Sequence, residues 1–184
     1  MFNMEDLKKT IKEKMNKTVE VLIKELATVR TGRANANILD GVKVEYYGFP
    51  TALNEIAQIS TPEPRVIMIK PYERESLGMI EKAISSSGIG LVPNNDGTVI
   101  RLNIPALTEE RRKEFCKVVH KYSETAKVSV RNIRRDANDL LKKNKEVTED
   151  QRKRGEQEVQ KITDEIIKKI DEVSKAKEKD IMAI

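Results

Sequence analysis

The chain is poor in several things, and each shortage narrows what it can do. It has no tryptophan, and aromatic residues make up 4% of its 184 positions. Proteins that read single-stranded bases by stacking need aromatic platforms, so that mode of nucleic-acid binding is not expected. Cys116 is the only cysteine; it rules out an internal disulfide and fits a reducing compartment. His120 is the only histidine and has no Cys or carboxylate at ligand spacing, so no metal site is expected. Cys116 adjoins the apolar Phe115 and reads as a small hydrophobe. "GIGLVP" lacks the Gly-Lys-Ser/Thr ending of a phosphate loop and leads into a strand. No catalytic constellation emerges, and neither an enzyme nor a cofactor is expected. No apolar run approaches membrane-spanning length. The start, "MFNMEDLKKTIKEKM", carries Glu5, Asp6 and Glu13, unlike a secretory or transit peptide, so the expected compartment is the cytoplasm.

What the chain does have is charge: 35% charged residues against 38% hydrophobic, with a net charge of +5. Such a lean apolar content suits long helices with narrow stripes. The charge is unevenly spread. Residues 31–104 hold 7 Lys/Arg and 8 Asp/Glu, so the excess positive charge lies outside them. That split predicts two domains with different electrostatic roles.

Periodicity draws the same boundary. Residues 3–30 step through Leu7, Ile11, Met15, Leu22, Leu26 and Val29 at helical spacing, and Gly32 is read as the helix-end punctuation. "GVKVEYYG" then alternates like a strand, with Val42, Val44 and Tyr46 on one side. Gly48 and Pro50 mark a turn, and Ile56–Ile59 is the expected return strand. "VIMIK" (66–70) reads as a strand buried on both faces, and residues 73–86 as a helix ended by Gly88. "LVPNNDGTVIRLNIP" is expected to be a hairpin with a tight primed turn at Asp96-Gly97. Helix resumes after Thr108, a natural N-cap. The series Phe115, Val119, Tyr122, Ala126, Val130, Ile133, Ala137, Leu140 forms a bundle seam. Thr148 and Gln151 have capping-box spacing, and Val159, Ile162, Ile166, Ile170 and Val173 make another seam. No helix can bury its stripe alone, which predicts a three-helix bundle built from both chain ends. The expected fold is α+β: an elongated bundle of residues 1–30 plus 105–184, with a small α/β domain, 31–104, inserted in an L-shape. The two would be hinged through 30–35 and 104–107, with Arg30, Thr31, Gly32, Arg33, Ile104 and Pro105 at the joints.

"VSVRNIRRDANDLLKK" (128–143) places Arg131, Arg134, Arg135, Asn138 and Lys142 in one stripe about 100° wide beside the seam. Two readings fit: a solvated face, or a phosphate-gripping surface. Arginine's planar fork matches phosphate oxygens better than lysine's point charge. Asp139, four residues beyond Arg135, is placed to pair with it. Arg111, Arg112 and Lys113 open the same helix, so one helix with basic groups at both ends could span structured RNA without reading bases. At the joint, Arg30 and Arg33 either bridge to the other connecting strand or face RNA.

Five segments together, "VRTGRAN" (29–35), "VEYYG" (44–48), "LTEERRK" (107–113), "VSVRNIRRDAND" (128–139) and "EKDIM" (178–182), resemble the ribosome recycling factor family of the bacterial type across the whole chain. The resemblance implies a translation factor that binds the post-termination ribosome as a monomer. With elongation factor G and GTP hydrolysis by that factor, it would split the ribosome into subunits and release mRNA and tRNA. It also implies large-subunit rRNA contacts for Arg112, Arg131 and Arg134, with Arg135 inside the same motif. Many relatives have proline where this chain has Ala36 and Ala52, which predicts a looser joint at 36. The rival from another class is a helical-bundle protein–protein adaptor, which would need spare apolar surface. An enzyme would need a polar pocket within residues 31–104, for which Tyr46, Tyr47 and Tyr72 are the available residues.

Overall fold

In a computed structural model, which describes residues 1–183, the chain divides into two compact units. One comprises Met1–Arg30 with Thr108–Ala183, the other Thr31–Leu107.

The first unit is built from three helices: α1 (Met4–Ala27), α4 (Glu109–Lys143) and α5 (Glu149–Met182). At about 1.5 Å per residue the last two each run roughly 50 Å. Each starts on a side chain that accepts an otherwise orphaned N–H: Asn3 for α1, Thr108 for α4, and Thr148 for α5. Thr148 and Gln151 complete the expected capping box in both directions. A single core joins the three helices, with Met15, Val119, Val130, Val159 and Ile170 fully buried. Phe2 and Met4 pack against it, and the Phe2 N–H donates to Glu146 in the α4–α5 turn at 2.8 Å.

Two seam details differ from expectation. The last seam residue of α4 is Leu141, 1% exposed, whereas Leu140 is 47% exposed. At 100° per residue Leu141 falls about 20° from Val130 and Leu140 about 80° from it; stepping by three from Ala137 overshot the buried face. The first helix ends at Ala27 with Thr28 as its C-cap. Gly32 lies beyond it and lacks the positive φ of a helix-ending glycine, so it is not the helix terminator.

The second unit has a hairpin of β1 (Lys43–Tyr46) and β2 (Phe49–Ala52), then a helical turn, α2 (Leu53–Ile56). A four-stranded antiparallel sheet follows, in the order β3 (Ala57–Glu63), β4 (Val66–Pro71), β6 (Ile100–Asn103), β5 (Pro93–Asn95). Its helix, α3 (Leu77–Ser86), contributes Leu77, Ile80 and Ile84 to a core with Val44, Ile67, Ile69, Ile100 and Leu102. The return strand of the first hairpin is therefore Phe49–Ala52, and Ile56–Ile59 straddles α2 and β3. The connection is two residues long, with Tyr47 at φ 50° and Gly48 at φ 82°, the primed geometry that matches strand twist. That geometry was expected at Asp96-Gly97. There, Asn95 pairs with Ile100, leaving a four-residue connection. Asp96 closes it by accepting from the Thr98 and Val99 N–H groups. Those bonds, then Arg101, hold the Asp96 carboxyl below its usual range. β4 alternates: Ile67 and Ile69 are buried, Val66 and Met68 partly so, and Lys70 is exposed. It is thus central in the sheet but fully covered on one face only.

Candidate nucleic-acid interface

The sequence of α4 sets up one basic stripe. Val119, Ser123, Ala126, Val130, Ala137 and Leu141 are its buried residues. Taking Arg131 as zero, they fall at about −80° to −140°, which leaves the arc around zero outside the core. Arg131 and Arg135 are exposed there. Among the described residues neither guanidinium has an ion-pair or hydrogen-bond partner. The Arg135–Asp139 pair that their spacing allows is not formed among the described residues. A surface pair four residues apart gains only about 0.3–0.5 kcal/mol.

Arg134, at about −60°, behaves differently. It is half-buried. Its Nη1 donates to Gln160 Oε1 of α5 at 3.1 Å, and Gln160 Nε2 donates in turn to Asp164 Oδ1 at 2.8 Å. Its Nε is buried without a partner among the described residues. Its stem therefore lies in the α4–α5 contact. Lys127, in the same arc, is paired to Asp171 of α5 at 2.7 Å. The bond to Asp171 holds the lysine's pKa above its ordinary value, against an opposing effect of burial.

These α5 partners were missed in the sequence. A signal for them was present. Gln160, Asp164 and Asp171 fall within about 40° of one another around α5, and antiparallel pairing of the two seams brings them beside Lys127 and Arg134.

Arg112 is not part of the stripe. It falls at about −100° from Arg131, on the seam side, and is half-buried with its Nε unpartnered among the described residues. Beside it, Arg111 lies 3.5 Å from Glu114 and Lys113 lies 3.5 Å from Glu109, loose surface pairs. His120 is exposed. Cys116 is half-buried against the bundle core, and burial raises its thiol pKa, which keeps it protonated and poorly nucleophilic. No group of three or more His, Cys, Asp or Glu among the described residues is placed to hold a metal ion. No described helix is long and apolar enough to cross a membrane.

The family model for "Ribosome recycling factor" matches residues 22–182. The chain belongs to the ribosome recycling factor family. It is 58% identical over 176 residues to the ribosome-recycling factor of Bacillus pumilus, covering 94% of this chain and 95% of that protein. It is 52% identical over 184 residues to that of Staphylococcus carnosus, covering 98% and 100%. Among solved structures, a solution structure of the ribosome recycling factor matches with a TM-score of 0.75 at 39% identity, over the whole of both chains. Models for the T. thermophilus ribosome recycling factor and the E. coli elongation factor G bound to the E. coli post-termination complex match with a TM-score of 0.63 at 44% identity. That match covers 99% of this chain and 100% of the other. The bundle with its inserted α/β unit is thus the family's fold.

Proposed function

We propose that this member of the family meets large-subunit ribosomal RNA through the α4 stripe, with Arg131, Arg134 and Arg135 as its phosphate ligands and Arg112 as a separate contact near the start of the helix. The protein recycles ribosomes after termination. It binds the post-termination ribosome, and elongation factor G, hydrolysing GTP, drives the splitting that frees subunits, mRNA and tRNA. The chemistry belongs to the GTPase, and this chain supplies a shaped, basic lever. The observation that carries the RNA reading is the pair of exposed, unpartnered guanidiniums on a helix whose other face is locked into a core. Charges already paired on the protein would have to break those pairs before gripping phosphate. An adaptor would need a continuous apolar face, and the exposed Val118, Val128 and Leu140 of α4 are isolated from one another, each at least about 15 Å along the helix from the next.

The segments 30–35 and 104–107 are proposed as the joints. Neither contains regular secondary structure. Within the second unit both are anchored to the β3–β4 turn: Ala34 N–H donates to Pro64 O and Ile104 N–H to Arg65 O.

The test is breakdown of polysomes by the purified protein with elongation factor G and GTP, beside Arg131→Ala, Arg135→Ala and the double variant. Neutralising a phosphate contact should weaken large-subunit binding and reduce the salt slope by roughly one per residue. Subunit release unchanged by the wild-type protein would overturn the function, and unchanged binding by the double variant would overturn the interface.

A further inference from the structure

Two basic side chains on the α5-facing edge of the stripe are held by opposite chemistry. Lys127 meets the Asp171 carboxylate directly, at 2.7 Å. Arg134 meets a neutral amide, Gln160, and only that amide meets the carboxylate of Asp164. The difference matters for a phosphate ligand. A carboxylate on the guanidinium would fix it firmly but would occupy, and neutralise, the donors a phosphate needs. An amide oxygen takes a single N–H and leaves the positive charge whole; arginine has five such donors.

The amide is itself oriented. An amide can face either way, presenting its oxygen or its NH2. Asp164 is exposed and, when ionised, accepts only. It therefore holds Gln160's NH2 towards itself and the oxygen towards Arg134. Thr163, beside it, is buried and bonded to the Val159 carbonyl, so this stretch of α5 is set by the core. The half-buried stem and buried Nε of Arg134 complete a guanidinium that is held rather than free to swing.

We propose that Gln160 and Asp164 are positioning residues for Arg134: an amide relay that orients its guanidinium for RNA phosphate without cancelling its charge. This rests on the reading that Arg134 contacts ribosomal RNA. Pre-orientation removes ordering entropy at the moment of binding, so losing it should weaken affinity while the fold stays intact.

The experiment measures binding of the full-length protein to large ribosomal subunits across a salt series, with the thermal midpoint of each variant alongside. Gln160→Glu keeps a tether but turns it into a direct charge pair. It should lower affinity about tenfold at low salt and flatten the salt slope, as expected for a neutralised donor. Gln160→Leu removes the tether and leaves the charge, and should lower affinity roughly three- to tenfold with the slope retained. Asp164→Ala should resemble Gln160→Leu, whereas Asp164→Asn, which still offers an acceptor oxygen, should restore binding close to wild type. All these losses should vanish on an Arg134→Ala background. Losses that persist there would show that Gln160 acts elsewhere and overturn the relay. If Arg134→Ala weakens binding but the Gln160 variants bind as wild type, the relay fails and the RNA reading stands. If Arg134→Ala binds as wild type, both fail.

Discussion

Single side chains carry the sharpest electrostatic and packing consequences in this fold. In the inserted unit, the Tyr46 hydroxyl donates to Glu73 Oε2 at 2.9 Å. That bond, reinforced by partial burial and the Glu73 charge, pushes the Tyr46 pKa up to about 12, against an ordinary value near 10. Between those two values the unfolded chain gives up its phenolic proton and the native chain keeps it. The stability tied to this bond is therefore complete below about pH 10 and is lost as pH rises towards 12. Phenolate absorbance should show a late titration, and Glu73→Gln should bring it back towards about pH 10; a late titration that survives Glu73→Gln would contradict this. In the bundle, Leu141→Ala removes a side chain 1% exposed and Leu140→Ala one 47% exposed. The first should cost about 2–5 kcal/mol and the second less than about 0.5 kcal/mol, read from urea midpoints. The periodic series came within one residue of this answer. What separates the neighbours is angle around the helix, which a list of three- and four-residue steps does not track. Arg134 was legible as basic and on the stripe, but its tether was not, because Gln160 lies 26 positions away and only the packed helix pair brings it near.

At the scale of elements, local chemistry and long-range packing divide the work differently in the two units. Helix starts were readable because a cap is a contact between neighbours in sequence: Thr108, Thr148 and Gln151 act within three residues. Strand pairing was less readable. Tyr47 adopts a backbone conformation that β-branched and bulky residues rarely take, so the tight turn sits where no Asn-Gly or Asp-Gly signal marks it, while the Asp-Gly pair serves a wider loop. Helix packing shows the same dependence on distant partners. Gly155 lies buried near the start of α5. A Cβ there would sit 2.8 Å from the Met4 methyl and 2.9 and 3.2 Å from the two Leu141 methyls. Glycine in a helix interior sacrifices about 1 kcal/mol of propensity relative to alanine, and here it lets Leu141 of α4 and Met4 of α1 pack directly against the α5 backbone. Gly155→Ala adds a methyl to a packed core, an intrusion of about 1–3 kcal/mol. The net expectation is a loss of roughly 1 kcal/mol by chemical denaturation, since Met4 can swing aside but buried Leu141 cannot. A more stable variant would mean that this contact relaxes freely.

The molecule as a whole is two units with separate cores and separate charge. The charge split was legible from residue counts alone, and its boundary lies close to the one between the two compact units. The conformation of the segment that follows α1 was not legible, because Gly32 was assigned the job of ending a helix that stops at Ala27. Its φ is not positive, and a Cβ built on it meets nothing within 4 Å. The observed conformation therefore does not require glycine there. A residue with conformational freedom that its resting state does not use is what a moving joint would employ. Gly32→Ala tests this cleanly. The alanine fits the resting backbone, so the thermal midpoint should hold or rise slightly, and affinity for the large subunit should be unchanged, since α4 is untouched. If splitting by elongation factor G passes through conformations that only glycine reaches easily, the variant should split ribosomes about two- to fivefold more slowly, the rate equivalent of about 0.5–1 kcal/mol. Stopped-flow light scattering on post-termination ribosomes reads that step directly. A splitting rate equal to wild type would place the working motion elsewhere, with 104–107 the remaining connection to examine.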